Sequence, residues 1–238
     1  MSAIHTARER ARAELTTVIK DEARRQLAAS GAPGLSLRAV ARELGMVSSA
    51  LYRYFPSRDD LLTALIIDAY NALGEQVEAA DRSVAPTEFR ARLRGVCHAV
   101  REWALAHPNE YALVYGSPVP GYRAPEDTVL PGARVPVALL KLAGEAWAAG
   151  ALVPATEPLA PELAEQAKAV AEFGGQDLPA AQTARGAMIW TQLFGIVGFE
   201  IFGQLANSMD PADAFFDYAV ERMADLLGLA AEGGKRPV

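Results

Sequence analysis

The sequence predicts an all-α fold, a small N-terminal helical unit followed by a larger helical domain. Apolar residues recur at threes and fours in nearly every segment, and no alternating β pattern runs for the length of a strand. Pro and Gly cluster at 116–132, where they mark a break between helical stretches. With 51% hydrophobic residues, the 238-residue chain has ample apolar material for one long domain or two modest ones.

The first helix carries Leu15, Ile19, Ala23 and Leu27 in one stripe and ends near Ser30 and Gly31. Ser36 then stands as an N-cap before Leu37, Val40, Ala41 and Leu44, its hydroxyl placed to accept a backbone N–H. Gly45 stops this second helix, since glycine takes the left-handed conformation at little steric cost. A third begins near Ser48 and runs through Ala50, Leu51 and Tyr52 to Tyr54 or Phe55. Two short helices about a glycine turn make a helix-turn-helix, whose second helix enters the major groove of DNA. An ordinary helical hairpin has the same spacing. Surface chemistry favours DNA: Ser48, Ser49, Tyr52, Arg53 and Tyr54 put small, hydroxyl and cationic groups on a short helix that Ala50, Leu51 and Phe55 anchor inward. Pro56 ends that helix and Ser57 caps the next, with Asp60 in capping-box position. Arg58 lies in the first turn against the helix dipole, a placement that a nearby phosphate would explain.

The fourth helix, roughly 58 to 80, buries Leu62, Ile66, Ala69 and Leu73. Pro86 opens a fifth, with Phe89, Leu93, Val96, Val100 and Trp103 at helical spacing until His107 and Pro108. A short helix follows from Glu110 to Tyr115, then the irregular loop 116–132. Further helices are expected over 135–149, 160–173 and 180–206, with a last one from Pro211 to Leu227 and a disordered tail. The stretch Gly186 to Phe199 is uncharged, yet shorter than the roughly 20 apolar residues that span a bilayer, and Arg185, Gln192 and Glu200 interrupt it. It reads as a buried helix with two apolar faces. Trp190, Phe194, Val197, Ile201 and Leu205 form the bulky one, expected to fill the core; Met188, Thr191, Gly195, Gly198 and Phe202 form the other.

Charge is uneven. The overall net charge is -6, but residues 1–60 hold ten Lys/Arg against seven Asp/Glu, a net +3, while the rest carries -9. The N-terminal part can therefore present a weakly positive face to phosphates, with Arg8, Arg10, Arg12, Arg24 and Arg25 adding to it. The single cysteine, Cys97, excludes an intramolecular disulfide and fits a reducing cytosol, and the N-terminus reaches Arg8 without the apolar run of a cleavable signal. A cytoplasmic protein with no membrane partner is expected. Enzymatic constellations are absent from the sequence. Cys97 and His98 are helix neighbours that point about 100° apart, the histidines His5, His98 and His107 lack metal-ligand spacing, and no phosphate-binding glycine fingerprint occurs. Neither a cofactor nor a metal is called for.

The segment from Ile19 to Leu65 resembles the DNA-binding domain of the tetracycline-repressor (TetR-like) family of bacterial regulators. The resemblance is carried by a first helix followed by Gly31, then LSLRAVARELG and LYRYFPSRDDLL, in which Leu51-Tyr52, Tyr54-Phe55-Pro56, Arg58 and Leu61-Leu62 fall in register. It implies that Ser36 and Arg38 sit near phosphate at the start of the second helix. Ser48, Ser49, Arg53 and Tyr54 would face the groove, with Tyr52 and Arg58 on the DNA backbone. This chain has Val47, Ser49 and Ala50 where the family often has Ser, Gly and Thr, which would pass the capping serine's role to Ser48. The run YALVYGSPVPGYRAPEDTV resembles the C-terminal domain of one branch of the family.

The implied architecture is a helix-turn-helix DNA-binding domain over 1–57, a helical ligand-binding and dimerisation domain over 58–230, and a tail over 231–238. In the resembled family the last two long helices pair across a two-fold axis. Met188, Gly195, Gly198 and Phe202 with Phe216, Val220, Met223 and Leu227 are the expected dimer face, although both helices could instead belong to one chain's core. A dimer would set two recognition helices ~34 Å apart on a palindromic operator. Trp103, His107, Tyr111, Tyr115, Trp147 and Trp190 are the expected lining of a small-molecule effector site, with plain core filling as the other reading for each. The function expected is a ligand-responsive transcriptional repressor, binding double-stranded DNA as a homodimer and released by a small, largely apolar effector. An all-helical apolar-ligand carrier or enzyme with a structural helix pair is the alternative.

Overall fold

The computed structural model describes residues 2–230, with side chains from Ala7 onward. Its helices are α1 (Ser2–Ser30), α2 (Leu37–Glu43), α3 (Ser48–Leu51), α4 (Arg58–Arg82), α5 (Phe89–Ala106), α6 (Pro108–Tyr115), α7 (Val129–Ala148), α8 (Pro161–Phe173), α9 (Ala180–Ile201) and α10 (Asp213–Leu227). Among the described residues the only β pairing is one isolated antiparallel bridge, Leu152 with Leu229. The expected tail, 231–238, lies outside the described residues.

The chain forms two compact units. One is the chain up to Tyr70 together with His107–Pro131; the other is Asn71–Ala106 with the chain from Gly132 onward. The first is built on the stripe that the sequence predicts: Ile19 and Ala23 are fully buried and join Val40, Leu51, Leu61 and Leu62 in one cluster. More than the amino-terminal motif belongs to this unit. Leu113 and Val114 of α6, with Val119 and Tyr122 beyond it, pack on the same cluster. Tyr122 and Thr63 share a 2.8 Å hydroxyl–hydroxyl hydrogen bond, and Arg24 pairs with Glu110 at 3.2 Å.

The second unit buries Leu93, Val96, Val100 and Trp103 of α5 beside Phe216, Val220 and Met223 of α10. α7 begins at Val129 inside the expected loop, and it accommodates Pro131 in its first turn, where an N–H has no helical acceptor to lose. α9 ends at Ile201 rather than near 206.

Two phase expectations are corrected here. On α9 the buried ridge is Ile189, Leu193 and Val197; of the stripe expected in the core only Val197 is fully buried, while Trp190, Phe194, Ile201 and Leu205 are not. Trp190 is 37% exposed and stacks edge-on with Phe194 instead of entering a core. Bulky apolar residues occupy both sides of this helix, so periodicity fixes the angle between the faces but not which one turns inward. On α10 the residues expected at a dimer face, Phe216, Val220, Met223 and Leu227, are buried within the single chain. The outer side of α10 is instead Ala214, Asp217, Tyr218 and Arg222.

Candidate nucleic-acid interface

The turn between α2 and α3 has the geometry a helix-turn-helix requires. Ser36 caps α2, its Oγ accepting from the Ala39 N–H at 3.4 Å. Gly45 takes φ 63, which lets the Gly45 N–H bond the Arg42 carbonyl at 3.1 Å and the Met46 N–H the Ala41 carbonyl at 2.8 Å. These paired bonds are the Schellman closure of a helix C-terminus. The chain then enters α3 through Val47, which offers no side-chain cap; Ser48 is the first helical residue and does not take over the capping role expected of it. After Leu51 the coil tightens, with Arg53 bonded to Ala50 and Tyr54 to Leu51 by i to i+3 hydrogen bonds.

Leu51 is fully buried and Phe55 nearly so, which fixes the helix in its roll. Ser49 and Arg53 fall on the opposite side, Ser48 and Tyr52 on its flank, and all four are exposed; Arg38 is exposed on α2. These five stand where sequence reasoning put them, on the outside and within one helix-turn-helix.

Tyr54 does not join them. It stands three residues beyond Leu51, shares its inward side, and packs half-buried against the core cluster. The Arg12 guanidinium lies over its ring, 5.4 Å from the centroid, and also donates to the Arg53 carbonyl at 3.4 Å.

Arg58 is likewise corrected. Its guanidinium donates to the Leu35 carbonyl at 3.2 Å and the Ala32 carbonyl at 2.7 Å, and it pairs with Asp59 at 3.3 Å. The cation at the start of α4 is explained by carbonyls of the α1–α2 connection, without a phosphate. Ser57 does cap α4: its Oγ accepts from the Asp60 N–H at 3.1 Å and donates to the Asp60 carboxylate at 2.7 Å. The basic surface is also thinner than the charge count implies. Lys20 and Arg24 both bind Asp68, at 2.7 and 2.8 Å, and Arg25 pairs with the buried Glu22.

The residues expected around an effector divide between the units. Trp103, Trp147 and Trp190 belong to the second and His107, Tyr111 and Tyr115 to the first. Trp103 and Tyr111 are buried, whereas Tyr115 and Trp147 are half-buried and His107 is exposed. Tyr115 meets the rings of Tyr111 at 5.3 Å and Tyr70 at 5.9 Å, and burial raises the phenol pKa of all three. Cys97 is fully buried, which pushes its thiol up to about 12, and His98 pairs with Asp217 at 3.1 Å. The thiol is therefore protonated at neutral pH and remote from nucleophilic chemistry. Among the described residues no helix is long and apolar enough to cross a membrane, and no group of His, Cys, Asp and Glu is arranged to hold a metal.

Arg12 is the contributor that sequence reasoning treated only as charge. Its contacts lie 41 and 42 residues away, so no local pattern signals them.

A glycine-closed α2–α3 pair presenting serines, a tyrosine and an arginine outward is a helix-turn-helix DNA-binding unit. Comparison with known proteins agrees. Residues 19–65 match the family described as bacterial regulatory proteins, tetR family, and residues 93–223 match the tetracyclin repressor-like C-terminal domain. The chain is 39% identical to the HTH-type transcriptional regulator Rv1816 of Mycobacterium tuberculosis over 217 residues, 87% of this chain and 90% of that one. The HTH-type transcriptional regulator Mb1846 of Mycobacterium bovis matches to the same extent. A crystal structure of SCO4313, a candidate regulatory protein, is 33% identical, covers 91% of this chain and 98% of its own, and superposes with a TM-score of 0.76. The chain belongs to the TetR family and is a DNA-binding transcriptional regulator rather than an enzyme.

Proposed function

We propose that the protein is a repressor that binds a palindromic operator as a homodimer in the cytoplasm and leaves it when a small, largely apolar effector binds. The observation that carries the DNA half is the exposed side of α3, where Ser48, Ser49, Tyr52 and Arg53 turn outward while Leu51 is fully buried. A guanidinium and three hydroxyls suit base edges and phosphates, and the small serines let the helix backbone approach the groove.

The outer face of α9 supports the dimer. Met188, Phe199 and Phe202 are exposed there, with Gly195 among them. A soluble chain rarely leaves so many large apolar groups in water without covering them. Tyr218 on the outer side of α10, 63% exposed, extends the apolar choice. The interface proposed is therefore Met188, Gly195, Phe199 and Phe202 along α9 with Tyr218 of α10, while Gly198 is only half-exposed. Repression and release rest on the match to the repressor-like C-terminal domain, and Trp147 is the half-buried aromatic of the second unit best suited to meet an effector.

Selection of bound duplexes from random DNA should return a palindrome, and a promoter carrying it should be silenced by the protein in a reporter strain. Sedimentation should give a dimer that Phe202→Asp converts to monomer, with operator binding lost alongside. A monomeric wild-type protein that still protects a two-half-site footprint would end the dimer proposal. Selection without enrichment would end the operator proposal.

A further inference from the structure

α1 is longer than the domain it opens. The family match begins at residue 19, whereas the helix begins at Ser2. Ile19 is fully buried, and Leu15, one turn earlier, is half-buried against the core cluster. At about 100° of rotation per residue, Arg12 and Arg8 continue that stripe one and two turns past the last apolar contact. The acidic Glu9 and Glu14 fall off the stripe, and both arginines are exposed.

Arg12 already touches the reading helix. It lies over the Tyr54 ring and donates to the Arg53 carbonyl, so α1 passes beside the carboxyl end of α3. Arg8 follows one turn further on, about 6 Å along the helix. Of the other α1 cations, Arg10 falls off the stripe, and Lys20, Arg24 and Arg25 are tied to Asp68, Asp21, Glu110 and Glu22.

We infer that Arg8 and Arg12 form a second DNA contact, to the phosphates flanking the half-site that α3 reads. The inference rests on the DNA-binding reading above. A guanidinium suits phosphate because its planar donors can pair with two oxygens, and such contacts fix position without reading sequence. The amino-terminal extension of α1 is thus a backbone clamp that lengthens the footprint. It secures the end of the recognition helix through Tyr54 as it does so.

Two duplexes test this, one trimmed to the selected operator and one carrying ten further base pairs on each side. Wild-type protein should bind the longer duplex more tightly. Arg8→Ala/Arg12→Ala should bind both alike, and with four arginines per dimer its salt slope on the longer duplex should fall by about 3.6. Between 50 and 200 mM salt that difference shrinks the wild type's advantage roughly a hundredfold. Arg8→Ala alone, which leaves the Tyr54 contact intact, should show about half the slope change. A double variant that keeps the wild-type slope, or that loses equal affinity on both duplexes, would overturn the inference. Wild-type protein that selects no sequence at all would instead strike the DNA-binding reading beneath it.

Discussion

In the second unit Arg90, Arg92, Arg101 and Arg134 each end on at least two protein acceptors, while in the first Arg38 and Arg53 extend outward from helix surfaces. Arg90 is 8% exposed and binds Glu221 at 2.8 Å, Asp225 at 2.7 Å and the Leu229 carbonyl at 3.0 Å. Arg92 reaches Asp81 and Glu145, Arg101 reaches Glu200 and Asp213, and Arg134 grips Glu78 with Nε and Nη2 while Nη1 donates to Asn71. The same side chain serves as an internal tie in one region and as a presented donor in the other. The acidic surplus of the second unit is in part the partner set of those ties. Net charge per region therefore understates how much of the basic charge is committed to protein contacts, and the arginines left to solvent are few.

Arg90→Ala should break this contrast most strongly. It strips the Leu229 and Glu221 carbonyls of a charged donor and removes the partner that Glu221 and Asp225 share; both carboxylates are part-exposed and keep Arg94 and Arg222, so the loss should be about 2–3 kcal/mol. Denaturant unfolding should record that loss, while the molecules still folded bind operator normally. A loss under about 1 kcal/mol would mean that the network is no more than a surface ion pair.

Arg58→Ala should cost about 1–3 kcal/mol, since a charged donor leaves two carbonyls. The salt slope of operator binding should stay at the wild-type value, because Arg58 is assigned to the protein's own backbone. A slope lowered by about 1 per protomer would return it to the phosphates.

Arg53→Ala should leave stability within about 0.5 kcal/mol. Operator binding should weaken by about 1–3 kcal/mol, with relaxed preference at one base position of each half-site. Equal weakening on every sequence would make Arg53 a backbone contact.

The smallest effect is a pH signature. Arg94 and Arg90 hold the Glu221 carboxyl below its ordinary range, chiefly through the hydrogen bond from Arg94. A depressed folded value stabilises the fold above the unfolded glutamate pKa of about 4.3, and that contribution fades as pH falls through the folded value. Glu221→Gln should therefore be less stable than wild type at pH 7, and the two should converge in acid. A gap that stays constant down to pH 3 would remove the ion pair as its cause.

Helix order was legible in the sequence because apolar spacing and caps act locally. Leu15, Ile19, Ala23 and Leu27 mark α1, Ser36 and Gly45 bracket α2, and Ser57 with Asp60 starts α4, each in the structure as in the pattern. The exposure of Ser48, Ser49, Tyr52 and Arg53 followed from the same reasoning, since the buried Leu51 and Phe55 set the roll of so short a helix. Tyr54 and Arg58 went astray for one reason. A polar group near a proposed interface looks like a ligand contact until its protein partner is known, and those partners, Arg12 for one and the Ala32 and Leu35 carbonyls for the other, lie 42, 26 and 23 residues away.

By itself the sequence determined an all-helical chain with a helix-turn-helix near its start, through hydrogen-bonding and burial preferences that reach no further than one turn. Tertiary structure decided which side of α9 and α10 is core, which arginines are committed to carboxylates, and that residues 107–131 fold with the amino-terminal unit. A helix apolar on two sides, or a cation with several distant acceptors, has near-equivalent local solutions, and only packing against the rest of the chain separates them.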